Sequence, residues 1–171
     1  AQITLGFLVP PEISEDFAAL QILSSILGGD ANSRLFQSIS QRKGLAYGIQ
    51  SGYDGSFNRG VMYVSAGVPS VRQEESIDAI FEEMARLQRK PVSVSELDRV
   101  RKAGRYAIAK HFETNQGHVS AIERKNDAGI TPEIAMVNWN KVTPEKLQEI
   151  AQRYLPKADG KYVLMIRDPL K

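Results

Sequence analysis

The sequence predicts an α+β domain, an antiparallel or mixed sheet with helices packed on one face, and three observations carry that prediction. Alternating apolar residues open the chain at Ile3, Leu5, Phe7 and Val9, and a short run, Tyr162 to Ile166, closes it. Two further strand-like runs, about residues 45–53 and 60–68, flank a turn-rich segment and read as a hairpin. Nearly everything else carries apolar residues at helical spacing.

Taken in order, Pro10-Pro11 ends the first strand. Ser14 is then a candidate cap for a helix with Glu15 and Asp16 in its first turn and Phe17, Leu20, Leu23 and Leu27 along its buried side. Gly28 and Gly29 follow that stripe and suit a left-handed helix stop. Asn32 or Ser33 is placed to cap a second, short helix with Leu35, Phe36 and Ile39 at helical spacing, and Gly44 stops it. The hairpin's turn is Asp54-Gly55-Ser56-Phe57-Asn58-Arg59, and Met62, Val64, Ala66 and Val68 share one face of its second strand. Ile77, Ile80, Phe81, Met84 and Leu87 mark the next helix, which closes on Arg86, Arg89, Lys90 and Pro91. Ser93 and Glu96 have capping-box spacing and open a helix with Leu97, Val100, Ala107, Ile108 and Phe112 on one side. Thr131-Pro132-Glu133 and Thr143-Pro144-Glu145 are two more helix starts, each a cap residue followed by proline at the first helical position. Leu147, Ile150, Ala151, Tyr154 and Leu155 form the last stripe.

The 171 residues, 42% of them hydrophobic, suit one domain with a core large enough to fold alone. Twenty-two basic against twenty acidic residues leave a net charge of +2, which gives no field for nucleic acid or anionic lipid. No apolar run approaches the roughly twenty residues that would cross a bilayer, so membrane insertion is not expected. The absence of cysteine excludes disulfides, thiolate zinc sites and a cysteine nucleophile, and leaves the compartment open. There is no internal repeat or linker. The chain begins directly on a strand and reads as a piece of a longer protein.

The string Gly28-Gly29-Asp30-Ala31-Asn32-Ser33-Arg34-Leu35-Phe36, followed by Arg42-Lys43-Gly44-Leu45-Ala46-Tyr47, is the most specific feature. It closely resembles the C-terminal-type domain of the pitrilysin, or insulinase, family of zinc metallopeptidases, which includes the mitochondrial processing peptidases and similar bacterial proteins. That family repeats small residues, Ser-Arg-Leu-Phe, an Arg, and then Gly-Leu-Ala-Tyr. The resemblance spans nearly the whole chain. It implies a processing-peptidase-like half-domain over residues 1–171 and a homologous zinc-bearing N-terminal domain missing from this chain.

Catalytic chemistry leaves no signature of its own. A zinc peptidase needs His-Glu-x-x-His or His-x-x-Glu-His on one helical face, and neither occurs. His111 and His118 are the only histidines and would lie roughly 10 Å apart along an unbroken helix, too far for one metal. His111-Phe112-Glu113 lacks the Pro-Cys-x-x-Cys partner of a zinc deaminase. No Gly-x-Ser-x-Gly elbow or phosphate loop is present. Arg99, Arg101, Lys102 and Arg105 spread around their helix beside Glu96 and Asp98 and read as a solvated face. Glu74-Glu75 and Glu82-Glu83 read as solvated helix positions, and Trp139 as a packing residue. Catalytic and metal-binding residues are therefore expected to number none in this chain, with no cofactor held by it.

The resemblance supplies what the residues alone do not. In such peptidases the zinc and base belong to the N-terminal-type domain, while the C-terminal-type domain closes the substrate chamber and contributes an Arg and a Tyr to peptide binding. The Tyr falls on Tyr47, whose phenol can donate to a substrate carbonyl or a forming oxyanion. The Arg position falls on Ser40, which has no fixed charge. Arg42 and Lys43 would point about 200° and 300° away from position 40 on an α-helix. The expected partners are thus a homologous zinc-bearing domain or subunit and a peptide substrate, with zinc held by the missing half. The alternative is a structural or assembly subunit of the same fold, as in the core proteins of the respiratory cytochrome bc complex.

Overall fold

Strand alternation builds the sheet as read. The computed structural model describes residues 1–55, 58–111, 113–129 and 131–168. Gln2–Val9 forms β1, Gly48–Gly55 β2, Gly60–Gly67 β3 and Val163–Arg167 β4. They hydrogen-bond in the order β2-β3-β1-β4, and each pairing is antiparallel. In β1, Ile3, Leu5, Phe7 and Val9 are buried, and opposite them Met62, Val64 and Ala66 of β3 are buried too. Period-two alternation sends these residues to the helix side and leaves the intervening ones on an uncovered face.

The helices are α1 (Phe17–Gly28), α2 (Gln73–Arg89), α3 (Val94–His111), α4 (Asn115–Ala128), α5 (Pro132–Lys141) and α6 (Pro144–Tyr154). A π-helical turn, Phe36–Arg42, and a 3₁₀ turn, Ser70–Arg72, complete the described elements. Central to the core is α1, with Leu20, Ile22, Leu23, Ile26 and Leu27 fully buried. Each such side chain contributes roughly 1.5–3 kcal/mol of burial. Facing it are Leu35, Ile39 and Leu45 of the corner and Ile80, Met84, Leu147 and Ile150 of α2 and α6.

The three polar helix starts behave as their sequences predict. Ser93 Oγ accepts from the Glu96 amide (3.2 Å) while the Glu96 carboxylate accepts from the Ser93 amide (3.0 Å). Thr131 Oγ1 and Thr143 Oγ1 accept from the amides of Ile134 and Lys146. Trp139 packs as expected: its ring lies so close to α3 that a Cβ on Gly104 would meet it at 2.1 Å, and its Nε1 donates to Gln21 Oε1 (3.0 Å).

Other expectations are corrected. Ser14 does not cap α1, which starts at Phe17; its hydroxyl accepts from the Asp16 amide in a preceding turn, so Glu15 and Asp16 lie outside the helix. Asp16 is instead drawn inward by α6, accepting from Tyr154 Oη (2.8 Å) and pairing with Arg153 and Lys146 (both 3.1 Å). Glu83 is buried, paired with Arg86 at 2.9 Å, and not a solvated position. Arg101 donates to the Trp139, Asn140 and Val142 carbonyls at the end of α5, and Arg99 pairs with Asp30, so neither belongs to a free basic face. Residues 115–128, for which the sequence reading named no helix, form α4; the Thr114 hydroxyl accepts from the Gly117 amide in its first turn. β2 starts at Gly48, not near 45, because Leu45 and Ala46 bond back to the π-helical turn. Ser56, Phe57 and Phe112 lie outside the described residues.

Candidate functional site

The corner from Gly28 to Tyr47 is assembled from close approaches. Gly28 and Gly29 do not take the left-handed conformation; Gly29 has φ −79°. Gly28 is needed because a Cβ there would lie 2.4 Å from the Ser51 amide nitrogen of β2. The Ser51 hydroxyl donates to the Ser24 carbonyl (2.8 Å) and fixes the same contact. Asp30, rather than Asn32 or Ser33, supplies the turn: its carboxylate accepts from the Asn32 amide (2.8 Å). The Ser33 hydroxyl is buried and finds no hydrogen-bond partner among the described residues.

Arg34 then makes a forked pair with Glu96, its Nε at 2.9 Å from Oε1 and its Nη2 at 3.1 Å from Oε2. Partial burial opposes the Glu96 charge, but the Arg34 donors and the Ser93 amide outweigh it and hold the carboxyl down at about 2. One carboxylate thus caps α3 and ties the corner to it.

From Phe36 the chain widens into π-helical winding. The Lys43 amide donates to the Ser38 carbonyl (3.1 Å). The angles expected for Arg42 and Lys43 on an α-helix therefore do not apply. Lys43 pairs with Glu82 at 3.0 Å, and Arg42 is exposed with no hydrogen bond or ion pair among the described residues. Gly44 makes the turn that follows, with φ +59°, the left-handed region that favours glycine. The Leu45 amide donates to Ile39 O (2.9 Å), the Ser40 hydroxyl to Ala46 O (3.0 Å), and the Tyr47 amide to Gly67 O of β3 (2.8 Å). The backbone at Tyr47 is thus held from both sides while its side chain is 83% exposed. The two site positions end in opposite states, Tyr47 presented to solvent and Ser40 committed to the backbone.

The histidines are not brought together on one helix: α3 ends at His111, and an exposed His118 lies within α4. Among the described residues no group of three or more His, Asp or Glu is placed to hold a metal, so the donor set does not fit zinc. No helix among them is long and apolar enough to cross a membrane.

The family profile of the peptidase M16 inactive domain matches residues 1–103, a span that includes the whole corner. The chain belongs to the peptidase M16 family. Its sequence is 28% identical over 167 residues to an uncharacterized zinc protease of Mycobacterium leprae, covering 95% of this chain and 37% of that protein. A peptidase M16 inactive domain from Pseudomonas fluorescens superimposes with a TM-score of 0.81 at 20% identity, over 95% of this chain and 39% of that one. A chain of complex III2 from Candida albicans, solved with Inz-5 bound, superimposes with a TM-score of 0.79 at 15% identity, over 95% and 41%. The pitrilysin-type resemblance read from the Gly28–Tyr47 string holds, as does the α+β fold. This M16 inactive domain spans well under half the length of these relatives.

Proposed function

We propose that this chain is the noncatalytic, substrate-binding and chamber-closing domain of a zinc metalloendopeptidase. A homologous M16 half, in the same protein or on a separate subunit, would carry the zinc and the base. The observation that supports this reading most is Tyr47: a phenol exposed at a sheet corner whose amide is bonded to Gly67 O and whose preceding residue, Ala46, is bonded by the Ser40 hydroxyl. The fixed backbone aims the phenol out of the corner, and its hydrogen bond to a substrate carbonyl is worth more if that oxygen becomes an oxyanion. The names of the zinc-protease relatives support the parent activity.

Tyr47→Phe in the assembled peptidase tests it. The expected result is a fall in kcat/KM equivalent to about 0.5–1.5 kcal/mol for a neutral hydrogen bond, with fold and zinc content unchanged. An unchanged kcat/KM across several peptides would remove Tyr47 from substrate binding.

One observation favours a second reading, a structural or assembly subunit. The serine at the position where the family supplies an arginine spends its hydroxyl on the Ala46 carbonyl and offers no charge to a ligand. The fold likeness to a complex III2 chain is compatible with that reading. Finding no His-x-x-Glu-His in any partner half would decide for it.

A further inference from the structure

The Tyr47 phenol is directed by its backbone. Its side chain makes no hydrogen bond or ring contact with any of the described residues. Gly44 and Gly48, on either side in the chain, bring no side chain to brace it, and a Cβ at either would meet nothing within 4 Å. The direction of the phenol is therefore inherited from the peptide that joins Ala46 to Tyr47.

That peptide is a rigid plane whose carbonyl and amide point to opposite sides. Both are bonded. The Tyr47 amide donates to Gly67 O of β3 at 2.8 Å, and the Ala46 carbonyl accepts from the Ser40 hydroxyl at 3.0 Å. One end of the plane is thus pinned to the sheet and the other to the π-helical turn. Burial of the Leu45 and Ala46 side chains places the chain here, but leaves the plane able to rock between its two Cα atoms. The paired bonds remove that freedom. The N–Cα bond of Tyr47 lies in the plane, so the axis about which its side chain swings is fixed with it, and only staggered rotamers remain.

Ser40 is the one side chain that bonds this plane among the described residues. The neighbouring tie from the Leu45 amide to Ile39 O is backbone alone. The Ser76 hydroxyl reaches only the preceding carbonyl, Leu45 O, at 3.4 Å, and sits closer to Arg72 O at 2.8 Å. All of these contacts lie within the chain, so they hold whatever stands over the phenol.

We infer that Ser40 is a positioning residue for Tyr47: by holding the Ala46 carbonyl it aims the phenol at the substrate oxygen. The inference rests on the substrate-binding reading above and adds the group that sets the aim of that site. A tilt at the backbone is magnified at the far end of a tyrosine, and a donor displaced from a reacting oxygen loses much of its effect.

The test is a double-mutant cycle in the assembled peptidase, with kcat/KM measured on one peptide well below the unfolding midpoint of every variant. Ser40→Ala should lower kcat/KM by about two- to ten-fold, and by no more than Tyr47→Phe does. In the Tyr47→Phe background Ser40→Ala should cost nothing further, because no hydroxyl is left to aim. Ser40→Thr should keep the parent value, and Ser40→Cys, a weaker donor of similar shape, should fall between Thr and Ala. A merely structural role would lower both backgrounds alike. Equal losses in the two backgrounds, or no loss in the parent, would overturn the positioning role and leave Tyr47 standing. If Tyr47→Phe itself leaves kcat/KM unaltered, the substrate-binding reading falls and this inference with it.

Discussion

The Ser40 hydroxyl donates to the carbonyl of Ala46 at 3.0 Å, so the helical turn and the strand entry it leads into are tied one residue before Tyr47. Ser40→Ala leaves that part-buried carbonyl without its donor. It should lower stability by about 1 kcal/mol in urea unfolding. Ser40→Thr, which keeps the hydroxyl, should restore most of it. If Ser40→Ala unfolds at the parent's urea midpoint, the bond contributes nothing to the corner.

Arg34 and Glu96 supply a pH dependence with a defined sign. Burial raises the Glu96 carboxyl, and the Arg34 and Ser93 donors more than reverse it, from about 4.5 down to about 2. A folded-state value below the unfolded one contributes stability that is fully present above about pH 4.5 and lost as pH falls toward 2. Discounted for partial exposure, roughly 1–2 kcal/mol should disappear over that window. Glu96→Gln should flatten the acid limb of a Tm-against-pH curve there, and an unchanged limb would contradict the pairing.

Asp16 is held by Tyr154, Lys146 and Arg153, all on α6, and joins that helix to the start of α1. Burial opposes its charge, and the Tyr154, Lys146 and Arg153 partners together hold it below the usual carboxylate range. Asp16→Ala removes the acceptor of the Tyr154 phenol and one of the two carboxylates that pair with Lys146 and Arg153, Glu149 being the other, and should cost about 1–2 kcal/mol in denaturant unfolding. A loss under a few tenths would show that the contact is solvent-screened.

Gly28→Ala tests the docking of α1 on β2. The new methyl would sit 2.4 Å from the backbone nitrogen of Ser51, which cannot rotate away. Destabilisation of about 1–3 kcal/mol is expected. Gly29→Ala would face its own helix backbone at Ser25, at 2.8 Å, so it too should lower the thermal midpoint; a neutral Gly28→Ala would deny the close approach.

Where a local rule governs, the sequence was readable. Strand alternation in β1 and β3, the Ser93–Glu96 box and the Thr-Pro starts of α5 and α6 all depend on neighbours within four residues, and each was legible. Tertiary context decided the rest. Gly28 reads locally as a helix stop, yet a strand twenty-three residues away dictates it. Arg101 and Glu83 read as surface charges because the α5 carbonyls and the burial around α2 are invisible in their own segments. The π winding after Phe36 has no periodicity signal in seven residues, so the orientations around Ser40 were misassigned. Tyr47 is singled out by the family string alone, and its exposure is set by the fold.

The π-helical turn from Phe36 to Arg42 also stores length. Each of its bonds closes a loop one residue longer than an α-helical bond, as between Lys43 and Ser38. Removing one residue from this stretch would let it rewind as an ordinary helix while Gly28 and Tyr47 kept their anchors on β2 and β3. The corner is therefore the chain's adjustable splice, able to take up or release a single residue without moving the sheet that it serves.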